Sequence, residues 1–366
     1  MIVGAAVALV VAYKIHLSYA VISLFVFVTM KFIVDVHSMM CPTKFVDLST
    51  DHATRKFMAV QDSPVDSWPL KQEVRPISDA ALHVLMFQWQ IFGTSSKVFG
   101  RILKALNASY DSWDIPFENL GKNAENEVLE YCKRYGISLN KWPWSKSASE
   151  YKTMNEWFGR SYQDGVLPSV PLHKSEIVTA PATAVVTIFE SVKSMPRLVK
   201  NDRFSIQGVV PEYQMYMSFP CTLHYLSPAD YHCFHAPISG KIISLDLLVD
   251  KKTPYSVTVK RYVFQYINIL KRNRRAVLVI ERKDGFRCAM VIIGGITVDS
   301  IRLEPGIKAK QQVTAGQKVG TFARGGSSVA LFFSKPVRFC HTGRNSLSGS
   351  GIDFKLMCNA SLCESL

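Results

Sequence analysis

The sequence predicts an α+β protein: an N-terminal membrane anchor, a helical segment, and an antiparallel β-rich domain of sandwich or partly closed barrel type. Three observations carry that expectation. The first 34 residues are strongly apolar, with Ile2 to Tyr13 and Leu17 to Met30 interrupted only by Lys14, Ile15 and His16. Residues 77–160 hold helix-period patterns and helix-ending residues. From about Ile177 onward, short β-rich runs recur between Gly, Pro and Asp-Gly turns.

Residues 1–34 are long enough to cross a bilayer once, with Lys14 snorkelling to an interface. They lack the basic start and small-residue cleavage site of a signal peptide, and they are not an Arg-rich transit peptide. The expected location is therefore a membrane, the mitochondrial inner membrane ahead of an endomembrane. Residues 35–76 form a polar connector rich in Asp, Lys, Ser and Pro. In the helical region of residues 77–160, Ala80 to Leu106 places Leu82, Leu85, Met86 and Trp89 on one side of a helix. Asn123 to Tyr135 reads as a second helix, with Lys133 and Arg134 in its last turn and Gly136 ending it. Ser149 to Arg160 reads as a third.

Residues 161–366 make the β-rich domain. Strands are expected at Val185–Phe189, Gln214–Phe219, Lys241–Leu248, Ala276–Glu281, Cys288–Ile293, Lys318–Phe322 and Val329–Phe333. Asp284-Gly285 is the clearest hairpin signal, and Ala315 to Gly320 reads as a tight turn.

The 366 residues include 43 Lys and Arg against 29 Asp and Glu, a net charge of +14. Such an excess suits nucleic acid or an anionic membrane surface. No zinc-finger spacing or Gly-aromatic RNA signature is present, so a nucleic-acid partner is not expected. The apolar N-terminus favours the membrane, with Lys251-Lys252, Lys260-Arg261, Lys271-Arg272 and Arg274-Arg275 facing anionic headgroups. The eight cysteines have no metal-ligand spacing, so no metal site is expected.

Chemistry is suggested by Arg324-Gly325-Gly326-Ser327-Ser328, which runs into the apolar Val329 to Phe333. Gly326 leaves its carbonyl unshielded, and the Ser327 hydroxyl can attack it to replace the amide with an ester. Elimination and hydrolysis would leave a pyruvoyl group at the new N-terminus, a carbonyl that accepts electrons. A polar turn before a strand would read the same way. Upstream, Tyr225-Leu226-Ser227-Pro228-Ala229-Asp230-Tyr231-His232-Cys233-Phe234-His235-Ala236-Pro237 places two histidines three apart, both able to reach one cleft. Histidine is the natural proton shuttle near neutral pH, and self-cleavage needs a base.

Pro-x-Asp-Tyr-His-x-x-His-x-Pro followed by a Gly-Ser before a strand resembles the pyruvoyl-dependent phosphatidylserine decarboxylases. Further segments fall in that family's order: Trp157-Phe158-Gly159-Arg160, Asn273 to Val277 with Arg274 replacing a Glu, and Ile293 to Ile301. The resemblance covers roughly residues 80 to 335. It implies cleavage between Gly326 and Ser327, a large and a small chain from one precursor, and a covalent pyruvoyl cofactor from Ser327. Phosphatidylserine would be the substrate and phosphatidylethanolamine the product. His235 matches the base for self-cleavage and His232 the histidine assisting decarboxylation.

The family's third triad member, an Asp in a Pro-Ala-Asp-Gly turn, is replaced within Pro181-Ala182-Thr183-Ala184. A threonine hydroxyl can accept a hydrogen bond from an imidazole but supplies no charge. In a serine-protease triad, losing that charge slows the reaction roughly 10⁴-fold. Asp299 stands where the family motif has glycine, so a carboxylate enters one element as it leaves another. Two other functions fit less of the sequence. One is an uncleaved relative that binds anionic phospholipid or regulates an active paralogue; the other is a biotinyl- or lipoyl-type carrier domain.

Overall fold

Short runs rich in Val, Ile and Phe recur through the second half of the chain, and the strands they form pair into one large and two small sheets. The computed structural model describes residues 44–47, 70–72, 123–139, 143–194, 206–248, 274–294, 301–323, 327–340 and 353–366. The expected anchor (1–34), the Ala80–Leu106 helix, the basic clusters between Lys251 and Arg272, and Asp299 lie outside the described residues. Among the described residues, no helix is long and apolar enough to cross a membrane.

Two short strands come first, β1 (Lys44–Asp47) and β2 (Leu70–Gln72), then helices α1 (Asn123–Tyr135) and α2 (Met154–Phe158). The β region follows with β3 (Ile177–Thr179), β4 (Ala184–Phe189), β5 (Cys221–Leu226), β6 (Cys233–His235), β7 (Gly240–Leu248), β8 (Arg275–Glu281) and β9 (Arg287–Ile293). It continues with β10 (Ile301–Leu303), β11 (Gln312–Val313), β12 (Lys318–Phe322), β13 (Ser327–Phe333), β14 (Val337–Phe339), β15 (Asp353–Leu356) and β16 (Ser361–Ser365). The large sheet has the order β11-β7-β8-β9-β13-β5-β4-β15-β1-β2, and the small sheets are β10-β12-β6 and β14-β16-β3. All pairings but β1 with β15 are antiparallel.

Side chains alternate across the large sheet, so a central strand such as β13 feeds two cores. Val329, Leu331 and Phe333 of β13 enter the main core, whereas Ala330 and Phe332 enter a second one with Val277, Val291 and Tyr216. The helical region is not separate from this core: Val128, Tyr131, Trp157 and Phe158 are buried in it.

The β-rich expectation is borne out, and α1 has the predicted bounds. The β8–β9 hairpin turns at Asp284-Gly285, where Gly285 has φ 76° and the Arg282 N–H bonds the Phe286 carbonyl at 2.9 Å. Two expectations are corrected. Gln214–Phe219 is not a strand: Glu212 takes φ 50°, a 3-10 turn spans Tyr213–Tyr216, and β5 begins only at Cys221. The turn wins because its three-residue repeat buries Tyr216 in the second core, with Tyr213 packed beside it. The helix expected over Ser149–Arg160 is broken. Tyr151 is extended after a 3-10 turn at Ala148–Glu150, and Thr153 starts α2 by accepting the Glu156 N–H at 3.0 Å.

Candidate functional site

The segment 226–232 is tied at two points to the strands flanking Arg324–Gly326. The Phe322 N–H at the end of β12 bonds the His232 carbonyl at 3.0 Å. Ser327, the first residue of β13, pairs with Leu226 at the end of β5. The chain therefore leaves the histidine segment at Phe322 and returns to it at Ser327. The ladder to β9 starts one residue later, at Ser328 opposite Ile293. Residue 327 is thus held from the β5 side at the very start of its strand. Ser328 is fully buried, and its hydroxyl has no hydrogen-bond partner among the described residues.

His235 ends β6, which pairs with β12. Its Nδ1 lies 2.8 Å from the Gly316 carbonyl, and its Nε2 lies 3.0 Å from the Tyr231 hydroxyl. A carbonyl can only accept, so Nδ1 carries the proton and the Nε2 lone pair accepts from the Tyr231 O–H. The ring is therefore set in the tautomer a base needs. Burial is the main cause that lowers its pKa to about 4; Lys318 adds to this, while the Gly316 carbonyl, Glu304 and Asn359 oppose it. His235 is therefore neutral at physiological pH. Gly316, in the turn before β12, sits where glycine is favoured: it has φ +81°, and an added Cβ would come within 2.7 Å of Val170 Cγ2.

His232 is oriented differently. Its Nε2 donates to the Ser227 carbonyl at 2.9 Å, which leaves the lone pair on Nδ1. Phe158 lies against it, with 3.8 Å between ring centroids. Burial, with Arg160 and Lys355 adding, holds its pKa well below the usual imidazole range. The Arg160 guanidinium sits 4.6 Å from the ring centroids of both Trp144 and Trp157. It donates to the carbonyls of Ala229 and Asp230 at 2.8 and 2.9 Å, bracing the turn that carries His232.

Thr183 is buried, and its hydroxyl accepts the Cys358 N–H at 3.1 Å. Its role here is to join the strand-β4 turn to the C-terminal segment, and the carbonyl beside His235 comes from Gly316 instead. The backbone of Ser327 is described and that of Gly326 is not. Among the described residues, no cluster of His, Cys, Asp and Glu could hold a metal ion.

Three participants were not apparent from sequence. Gly316 contributes a backbone carbonyl, Tyr231 a hydroxyl on His235, and Lys355 a largely buried cation. The motif spacing could have nominated Tyr231, which immediately precedes His232 in the chain. Nothing in the sequence marks Lys355.

The family model for phosphatidylserine decarboxylase matches residues 154–349. The chain is 27% identical over 285 residues to phosphatidylserine decarboxylase proenzyme 2 of Oryza sativa subsp. japonica, covering 70% of this chain and 44% of the relative. It is 28% identical to a proenzyme 2 from Komagataella phaffii, covering 50% and 18%, and 29% identical to a proenzyme from Anoxybacillus flavithermus, covering 57% and 76%. The chain thus spans less than half the length of the first two relatives.

Proposed function

The chain belongs to the phosphatidylserine decarboxylase family, and on that footing we propose that it cuts itself between Gly326 and Ser327 and decarboxylates phosphatidylserine to phosphatidylethanolamine. The observation that carries this reading is the double attachment of residues 322–327 to the histidine segment, through Phe322 to His232 and Ser327 to Leu226. That attachment ties Phe322 and Ser327, on either side of the expected cut, to the segment that carries His232.

In this reading, the Ser327 hydroxyl attacks the Gly326 carbonyl, and His235 is the base. Gly316 accepts from Nδ1–H and stabilises the imidazolium as the proton arrives at Nε2. Tyr231 must release the lone pair first, or pass the proton through its own hydroxyl. A pyruvoyl group at residue 327 would supply an electron-accepting carbonyl for the loss of carbon dioxide. His232, neutral and with Nδ1 bearing the lone pair, is the group available to hold or move a proton during decarboxylation. Residues 1–34 would hold the enzyme at a membrane, the mitochondrial inner membrane first, with the basic residues between Lys251 and Arg272 toward anionic headgroups; Arg275 is buried and is not among them.

A second reading, an uncleaved relative that binds anionic phospholipid, is favoured by one observation. Where the family carries an Asp, Thr183 spends its hydroxyl on the Cys358 N–H, and the acceptor at His235 Nδ1 is the neutral carbonyl of Gly316. The intact mass of the purified protein, with and without Ser327→Ala, decides between them. Two fragments, the smaller starting with a pyruvoyl-modified residue 327 and absent from the variant, establish the enzyme. A wild-type chain that stays whole establishes the binding protein.

A further inference from the structure

Four groups are joined in a line that ends on His232. Lys355 Nζ forms an ion pair with Asp230 Oδ1, in which both side chains are largely buried. The other carboxylate oxygen, Oδ2, accepts the Ser227 N–H at 2.8 Å. The Ser227 carbonyl in turn accepts both the Asp230 N–H at 2.9 Å and His232 Nε2–H at 2.9 Å. The turn from Ser227 to His232 is thus closed on itself, with the Lys355 ammonium paired to its carboxylate.

We propose that Lys355 is a positioning residue for decarboxylation, acting through Asp230 and Ser227 to hold His232 in its Nε2–H tautomer. Lys355 lies beyond the matched stretch that ends at residue 349, on β15. Its position on that strand is fixed by pairing: Lys355 stands opposite Val185, and its neighbours Phe354 and Leu356 enter the main core. The ammonium is therefore delivered from a rigid strand and not from a mobile tail.

The direction of the effect follows from the charges around the ring. The charged groups facing His232 are Arg160, which grips the turn's carbonyls, Lys355, and Asp230 between them. Two cations against one carboxylate disfavour a proton on His232, in keeping with its lowered pKa. Without Lys355, Asp230 is left as a buried carboxylate near the ring. Its pull would favour imidazolium, and the Ser227 turn would loosen. This inference rests on the proposed activity, because only that activity uses His232.

The test reads His232 directly by ¹⁵N NMR in protein carrying Ser327→Ala, so that it does not depend on cleavage. With Lys355 present, His232 is expected as the neutral Nε2–H tautomer throughout the neutral range. Lys355→Met should give mixed tautomers and a titration moved toward higher pH, and Lys355→Arg should restore the original pattern. An unchanged His232 spectrum in Lys355→Met overturns the proposal. In cut protein, Lys355→Met should lower kcat between about tenfold and 100-fold with little change in KM, as expected for a misplaced proton-transfer group. A kcat equal to wild type also overturns it. A wild-type chain that is never cut instead overturns the decarboxylase reading, and the NMR result separates the two failures.

Discussion

The Thr183 hydroxyl accepts the backbone N–H of Cys358 at 3.1 Å, in a buried contact between residues 175 apart in sequence. One side chain thereby fastens the turn before β4 to the turn between β15 and β16. Thr183→Ala would leave that N–H buried without its acceptor, a cost of about 1–3 kcal/mol. Urea unfolding of the uncut Ser327→Ala protein measures it. Thr183→Asp keeps an acceptor and adds the charge that the family carries, so it should speed self-cleavage, by up to about 10⁴-fold if a full triad effect is recovered. A time course of intact mass is the check.

Gly316→Ala strains a left-handed backbone and drives a Cβ toward Val170. We expect a loss of at least about 1 kcal/mol of stability and a displaced carbonyl at His235. Self-cleavage should slow by more than the stability loss alone would explain. Fragment yield at a temperature where the variant is fully folded separates the two effects.

Arg160→Lys keeps the charge but loses the planar stack between Trp144 and Trp157 and the paired bonds to Ala229 and Asp230. The expected cost is about 2–4 kcal/mol, with a drop in decarboxylation beyond that in folding. Chemical denaturation and activity of the cut protein report the two quantities.

Acid should destabilise this protein well above the range in which carboxylates titrate. Burial lowers the pKa of His224 to about 3 and that of His235 to about 4, from an ordinary 6.5. The unfolded chain binds protons at these groups first, so stability is full above about pH 6.5 and falls as pH drops below it. Between about pH 7.5 and pH 5, each of the two should remove about 2 kcal/mol. Urea midpoints across that range test the slope, and His224→Leu should flatten it.

Sequence made the β domain legible because buried strands such as β8, β9 and β13 are almost unbroken runs of apolar residues. The histidines were legible for a different reason, since their chemistry resides in side chains at fixed spacing. Gly316 was read correctly as a turn, but its carbonyl on His235 could not be seen, because any residue has a carbonyl and only the fold aims it. Lys355 was hidden in the same way. It is a single lysine between Phe354 and Leu356, and what gives it meaning is the pairing of β15 with β4. Tyr213–Tyr216 misled because a run of aromatic and Met residues satisfies a strand pattern and a 3-10 turn equally well.

The position of β13, between β5 and β9 in the middle of the large sheet, bears on what a cut before it would do to the molecule's history. The released piece would own β13, β14, β15 and β16, each hydrogen-bonded to the rest of the fold or to one another. It could not slip out without opening the five ladders that β13, β15 and β16 form with the rest of the fold, so the processed form would persist for as long as unfolding is slow. Once unfolded, however, its two pieces would have to find each other as separate molecules, whereas the uncut precursor refolds alone. Self-cleavage would then turn a reversible fold into a one-way product, stable by its barrier and not by its equilibrium.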